Sequence, residues 1–407
     1  MARKMKDSGI EWIGEIPEGW ELTKVKRIFD IGRGRVISQQ ELTSVGYPVY
    51  SSQTKNNGCL GYISTYDFDK SQLTWTTDGV NAGTVFLREG KYNCTNVCGT
   101  LAPKNDTNDL RYLKYALEYI AFYHKRADIN GFKIMNNEMA EIELLLPPLF
   151  EQQNIANYLD FKCSQTQSIL EQSLFSIEEY KKLKQAVITQ AVTKTIYDDF
   201  GNPSKFRKLR SLCDVLSKGT TPKDIETQND EFYCIRYLKS ENIVSNQLNL
   251  NPTFFITAET NNSLERSKLN SGDILFVIAG ASIGKVAITT ADFLPANTNQ
   301  AVAFIRLSSS YQYATKYIWY FLQSDVVKQL IALSAVQSAQ PNLSLEDLGA
   351  MRLPLPGQMG CLKITDYLDA KCAEIDKLIA KKEQLVKELE SYKKSLIYEV
   401  VTGKREV

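Results

Sequence analysis

Two stretches decide the architecture: Tyr158-Leu159-Asp160-Phe161-Lys162-Cys163 and Tyr367-Leu368-Asp369-Ala370-Lys371-Cys372, one YLDxKC pattern met twice at an offset of 209. Around them, residues 144–194 and 353–403 align without a gap, with identities that include Ile155/Ile364, Glu179/Glu388, Lys184/Lys393, Ile188/Ile397 and Val192/Val401. Such self-similarity fixes the layout before any single element is assigned. Each copy follows a proline stop, Pro147–Pro148 in one and Pro354 with Pro356 in the other, and proline is accepted at a helix start but disfavours helix just before it. In the second copy Ile364, Leu368, Ile375, Leu378, Leu385, Leu389, Tyr392 and Leu396 recur at 4-3 spacing, interrupted by Lys371 and Lys382. The first copy offers Ile155, Leu159, Thr166, Ile169, Tyr180, Leu183 and Val187, weakened by Ser173 and Ser176. This is the spacing of a coiled-coil seam. Helices of about 45 residues, roughly 65 Å long, are expected. A lone helix of that kind exposes its seam, so the two copies are expected to pair, antiparallel, within the chain.

Outward from the helices lie two segments of mixed character. Short β-type runs, YPVYSS, QLTWTT, DILFVIA and AVAFIRL, are bounded by Gly, Asn and Asp clusters. One helical stretch follows late in each segment, Leu110–Ala127 and Tyr311–Leu333. Gly79, Gly83 and Val85 match Gly280, Gly284 and Val286 at offset 201, and Asp30 matches Asp214 at offset 184, so the second segment carries loop insertions on a shared scaffold. The expected organisation is a domain over residues 1–146, a helix over 147–196, a second domain over 197–353 and a second helix over 354–407. The fold class is α+β: two domains of mixed α/β structure joined by two long antiparallel coiled-coil helices, a pseudo-twofold internal repeat.

Composition narrows the function. A chain of 407 residues with 43% hydrophobic and 23% charged residues is neither disordered nor fibrous. It has no apolar run long enough to span a membrane, and its start, MARKMKDSGIEW, is not a secretory signal. Eight scattered cysteines fit reduced thiols and a cytoplasmic location. His124 is the sole histidine, which excludes any site needing two. The 48 basic and 47 acidic residues balance, so a basic surface must be offset elsewhere.

Catalytic motifs are weak. FDIGRG at residues 29–34 resembles a loop for S-adenosylmethionine, and Asn251-Pro252-Thr253-Phe254 an amino-methyltransferase tetrapeptide, but Thr253 breaks it and the two lie in different halves. GASIGK at residues 280–285 is one residue short of a phosphate loop and reads better as a strand–turn–strand. Cys94, Cys98 and His124 lack the spacing of a zinc site. Cys163 and Cys372 are expected to be small packing residues of the helices. No metal ligands and no catalytic residues are expected in this chain.

The polar loops suit a binder. The first domain offers Arg33, Arg35, Ser52, Gln53, Lys55, Asp78, Asn81, Asn96 and Lys133; the second offers Lys218, Thr220, Thr221, Arg236, Ser282, Lys285, Asn299, Gln300 and Gln340. Such side chains read base edges and phosphates, although the same residue types also build ordinary turns. Residues 205–223, with Lys208 and Arg210 among six basic residues against Asp214, carry a net +5 and suit a phosphate-facing strip.

At this point the sequence resembles the specificity subunit of a type I restriction–modification enzyme. DSGIEWIGEIPEGWE, YPVYSSQTKNNGCLGYI, WTTDGVNAGTVF and GDILFVIAGASIGKVAI are similar to its target-recognition domains, and LPPLFEQQNIANYLDFKC to its central region. The second helix entry departs from this, with GQMGCLKI where the first has FEQQNIA. The resemblance implies a non-catalytic subunit that reads a bipartite site on double-stranded DNA, one half per domain. The helices would act as spacer and platform for two methyltransferase subunits, which methylate adenine using S-adenosylmethionine, and restriction (motor) subunits would join them. This chain would hold no cofactor. The rival reading is a two-headed coiled-coil scaffold that binds no nucleic acid.

Overall fold

The computed structural model describes residues 3–129, 131–194, 204–229, 232–335 and 342–407. The chain divides into two compact units, residues 1–174 with 384–407, and residues 175–383. The first unit contains helix α1 (Leu110–His124), and the second contains α3 (Thr315–Leu322) and α4 (Asp325–Ala335). The long helices α2 (Leu149–Thr193) and α5 (Gln358–Val401) each contribute one half to each unit.

Both units are built on the same four-stranded antiparallel sheet. In the first, β1 (Phe29–Arg33), β2 (Gln72–Thr76), β3 (Val85–Arg88) and β4 (Cys98–Pro103) lie in the order β1-β4-β2-β3. In the second, β5 (Cys213–Lys218), β6 (Ile274–Val277), β7 (Val286–Ile288) and β8 (Val302–Leu307) lie in the order β5-β8-β6-β7. The strands QLTWT and ILFV are buried at every position, which is why they read as continuous apolar-rich runs. Each unit adds a three-stranded sheet with one parallel pair, Asn93–Cys94 beside Tyr47–Tyr50 and Ala296–Thr298 beside Tyr233–Leu238. Each also adds a two-stranded ladder leading into a long helix, Glu21–Lys24 with Glu143–Leu146 and Phe206–Lys208 with Arg352–Pro354. The insertions expected in the second unit include the hairpin Ile243–Val244/Gln247–Leu248 and the helix Ala258–Ser263.

The helices pair antiparallel, the start of each against the end of the other. In the first unit Ile155, Leu159 and Cys163 of α2 share a core with Leu396, Val400 and Val401 of α5. In the second, Ile188 and Val192 share one with Cys361, Leu368 and Cys372. The seam differs from its expected course in the middle. On α2 the buried positions are Leu159, Cys163, Thr166, Leu170, Ser173 and Ile177, continued by half-buried Tyr180 and Lys184, while Ile169 and Leu183 are exposed. On α5 buried Leu368, Cys372 and Ile375 are followed by half-buried Ile379, Lys382, Val386, Leu389 and Lys393, while Leu378 and Tyr392 are exposed. The seam thus accepts small and polar residues, and lysine stems lie along it with their ammonium groups at the edge. Lys184 reaches Asp376 at 2.6 Å, and Lys393 reaches Gln167 at 3.4 Å.

Two further boundaries differ from expectation. Helix α1 stops at His124 because Arg126–Asp128 turns into a strand against Gly131–Lys133. The single helix expected over Tyr311–Leu333 is broken at Gln323–Ser324, where side chains of α2 take over its backbone groups: Gln185 donates to the Gln323 carbonyl at 2.8 Å and Thr189 accepts from the Asp325 amide at 3.0 Å.

Candidate nucleic-acid interface

Strand register gathers most of the candidate residues at one end of each sheet. In the first unit Arg33 lies opposite Gly99, Cys98 opposite Thr76, and Trp75 opposite Val85. Arg33 and Arg35, Asn96, and the turn bearing Asp78 and Asn81 therefore emerge together. Lys133 joins them by pairing with Asp78 in a small ladder. The Ser51–Gly58 loop joins through Asn81, whose amide donates to the Thr54 hydroxyl at 3.3 Å, and brings Ser52, Gln53 and Lys55. Gln53 is spent internally on the Cys59 carbonyl. Arg35 is held by Asp67 at 3.0 Å and Glu41 at 3.4 Å, and Lys133 by Asp128 at 2.8 Å. Arg33 and Lys55 are exposed and make no ion pair among the described residues.

The second unit repeats the construction. Val277 lies opposite Val302 and Lys218 opposite Ala303, so Lys218, Thr220, Thr221, Asn299, Gln300, Ser282 and Lys285 emerge at the equivalent end. The turns match bond for bond: Gly83 and Gly284 donate to Thr76 and Val277 carbonyls, both at 2.9 Å, and Thr84 and Lys285 amides donate to Asn81 and Ser282 at 3.1 and 3.2 Å. Gly79, Gly83, Gly280 and Gly284 all sit at φ between +86° and +89°, where other residues are strained. GASIGK is thus a strand–turn–strand with its glycines at turn positions, and no helix follows to hold a phosphate. Beneath each cluster a fully buried asparagine anchors the loops: Asn93 donates to the Thr65 carbonyl at 2.8 Å, and Asn297 to Asn261 at 3.1 Å. A side chain at Gly34 or Gly219 would collide with the backbone just beyond that asparagine.

Three candidates stand apart. Arg236 is tied to the Asp292 carbonyl at 2.6 Å, on the strand below the loops. Lys208 and Arg210 precede β5, whereas Lys218 ends it. The expected continuous strip over residues 205–223 is therefore divided, because an extended strand carries its ends apart: Lys208 stays before the strand and Lys218 at its far end, while the Arg210 guanidinium folds back to the Leu216 carbonyl at 3.4 Å. Gln340 lies outside the described residues, as does Asn130; Asn342, just after Gln340, bridges Ala279 in the turn.

The enzyme-like motifs dissolve into structure. FDIGR is strand β1 of the first unit, while Asn251–Phe254 is a loop of the second in which the Thr253 hydroxyl is bonded to the Leu250 carbonyl. Cys94 and Cys98 are buried with Tyr92, where its hydrogen bond to Cys98, and then burial, push the Cys94 thiol up. His124 Nδ1 lies 3.0 Å from the Ile120 carbonyl of its own helix. Among the described residues no group of His, Cys, Asp or Glu is arranged to hold a metal ion.

The sequence reading missed a clamp that ties each domain to its helix. Asp160 accepts the Tyr115 hydroxyl at 2.8 Å and Arg111 at 3.1 Å; Asp369 accepts the Tyr320 hydroxyl at 2.7 Å and Lys316. Burial, and then these bonds, push both phenols well above their ordinary range. The signal was available: the aspartates are the D of YLDxKC, and their partners repeat at offset 205.

Comparison with known proteins bears on the family and the fold. A family model described as "Type I restriction modification DNA specificity domain" matches residues 17–179 and 202–388. A Mycoplasma pneumoniae protein assigned as a type I specificity subunit is 32% identical over 286 residues, covering 67% of this chain and 70% of that protein. The Methanocaldococcus jannaschii "Type I restriction enzyme MjaVIII specificity subunit" is 25% identical over 413 residues, 96% of this chain and 93% of its own length. Among solved structures, a chain from a study of assembly and conformational transition of the type I restriction–modification system superposes with TM-score 0.72 at 13% identity, covering 96% of this chain and 99% of that one. No helix among the described residues is long and apolar enough to cross a membrane. With both repeat halves matched by the family model and a relative aligned along nearly its whole length, the chain belongs to the type I restriction–modification specificity subunits.

Proposed function

We propose that each unit reads one half of a bipartite site on double-stranded DNA through the loops at its sheet end. The observation that carries this is one scaffold presenting different donors twice. Asn81 is replaced by Ser282, Thr84 by Lys285 and Asn96 by Gln300 at equivalent points of the turns. A fixed backbone with exchanged polar side chains is what reading two different base sequences requires, since base-edge patterns are told apart by donor and acceptor placement. Arg33, Lys55, Lys218, Thr220 and Gln300 are exposed and are the first residues to test for contact. In this reading the paired helices space the two readers and carry two methyltransferase subunits. Those subunits hold S-adenosylmethionine and methylate adenine, and restriction subunits join them; the chain itself contributes recognition. The experiment is a map of methylated adenines in the source genome with and without this gene. A split motif methylated only when the gene is present is the expected result. An unchanged methylation map overturns the proposal.

A further inference from the structure

At one place the two units carry different charge on the same scaffold, self-paired in the first and uniformly basic in the second. In the first unit the ladder of Glu21–Lys24 with Glu143–Leu146 sets Lys24 opposite Glu143. In the second, Phe206–Lys208 with Arg352–Pro354 sets Lys208 opposite Arg352. At offsets of 184 on the first strand and 209 on the second, Glu21, Thr23, Lys24 and Lys26 correspond to Lys205, Arg207, Lys208 and Arg210, and Glu141 and Glu143 to Ala350 and Arg352. The first patch is internally neutralised: Lys24 pairs with Glu141 at 2.7 Å and Lys26 pairs with it too. The second patch is Lys205, Arg207, Lys208, Arg210 and Arg352, all exposed, and none makes an ion pair among the described residues. Asp214, nearby in sequence, is also exposed and pairs with none of them. Like charges facing each other across a ladder cost stability, so Lys208 and Arg352 are kept at a local penalty. The patch precedes Cys213–Lys218, a strand of about 17 Å whose far end opens into the recognition loops; Lys208 and Arg352 face each other before its near end, and the Arg210 guanidinium folds back along it to the Leu216 carbonyl at 3.4 Å.

We propose that this patch grips backbone phosphates of the duplex beside the half-site met by the second unit's loops, a grip the first unit lacks. The inference rests on the DNA-reading function and adds an asymmetry to it. Protein-interface cores are depleted in charge, whereas here the centre is charged and Phe206 is the one large apolar side chain exposed on the ladder. A two-strand array of Lys and Arg suits a regular line of phosphates instead.

The test measures duplex binding by fluorescence anisotropy from 50 to 200 mM salt, using the full chain with the subunits that purify with it, on DNA with and without the methylated motif. Neutralising Lys208, Arg210 and Arg352 to Gln together is expected to weaken both duplexes alike, about 10- to 100-fold at low salt, and to flatten the salt slope by about 2 to 3. Lys24→Gln with Lys26→Gln is expected to change neither. The pair Ala350→Glu and Arg352→Glu, which restores the first unit's carboxylates, should reproduce the loss in a second background, so that misfolding of one variant cannot imitate it. An unchanged slope overturns the inference, as does a loss confined to the motif-bearing duplex. Loss of a co-purifying subunit with unchanged duplex affinity also overturns it and assigns the patch to an acidic protein surface. A wild-type chain that binds no duplex sinks the DNA-reading function itself, and this inference with it.

Discussion

Glu141 is a single carboxylate through which the first unit's ladder becomes electrically silent, and its titration reports that directly. Hydrogen bonds from Lys24 and Lys26 hold its carboxyl down, to about 2 from an ordinary 4.5. A depressed carboxylate pKa contributes stability above the ordinary value and loses that contribution as pH falls through the folded value. The window here runs from pH 4.5 down to about 2. The group is exposed, so the energetic contribution is small and the carboxyl resonance itself is the better readout. By NMR, the Glu141 midpoint is expected near 2 and should return toward the ordinary carboxylate range in a Lys24→Ser/Lys26→Ser variant. A wild-type midpoint in that ordinary range would show that the ion pairs do not form in solution. The clamp at Asp160 is a second residue-scale test. Tyr115→Phe removes one neutral donor to a carboxylate that water still reaches, so the expected cost is about 1 kcal/mol in urea unfolding. Combined with Asp160→Asn, the loss should fall short of the sum of the single variants, because the two side chains share one bond; strict additivity would show that the bond contributes nothing.

Among elements, the helix pair shows where sequence reading succeeds and where it stops. The 209-residue repeat, the two long helices and their antiparallel pairing were all legible, because repetition and heptad spacing are properties of the chain itself. The exact seam was not. Adjacent apolar pairs such as Ile169–Leu170, Leu378–Ile379 and Leu385–Val386 let a heptad count pass through either member. On the first helix the choice is made by Cys163, Thr166 and Ser173, whose small side chains let the helices close but carry little apolar signal. Leu170 is 7% exposed and Ile169 45%. Leu170→Ala is therefore expected to destabilise by about 2 kcal/mol, and Ile169→Ala by less than about 0.5 kcal/mol, in thermal or urea unfolding. The opposite order would return the seam to the course drawn by the larger apolar residues. The loops divide the same way. Their membership of one sheet end follows from strand register, which sequence does not print, and so Lys208 and Lys218 looked like one strip although a strand parts them.

For the molecule as a whole, duplication makes the two units separable. Each unit has its own large core, one around Trp75, Tyr112 and Leu117, the other around Phe276, Tyr317 and Phe321. Each ties its domain to a long helix through a tyrosine–aspartate bond, and to the ladder strand that leads into that helix through a second tyrosine, Tyr112 or Tyr317, that donates to the Leu145 or Pro354 carbonyl at 2.7 and 2.6 Å. A foreign domain that keeps the tyrosines facing Asp369 and Pro354 should therefore dock without disturbing the first unit. Replacing residues 205–350 with the matching segment of a relative is expected to change one half of the methylated motif and leave the other intact, read by mapping methylated adenines. Two features of the outcome are informative. If both halves change while the chain remains folded, recognition is shared between the units and the domains do not read independently. If the motif's second half changes only in part, the contacts retained must come from outside the exchanged segment, and Arg352, which the exchange leaves in place, contributes charge without base choice and should keep the chimera's salt slope closer to the parent's than neutralising the whole patch does.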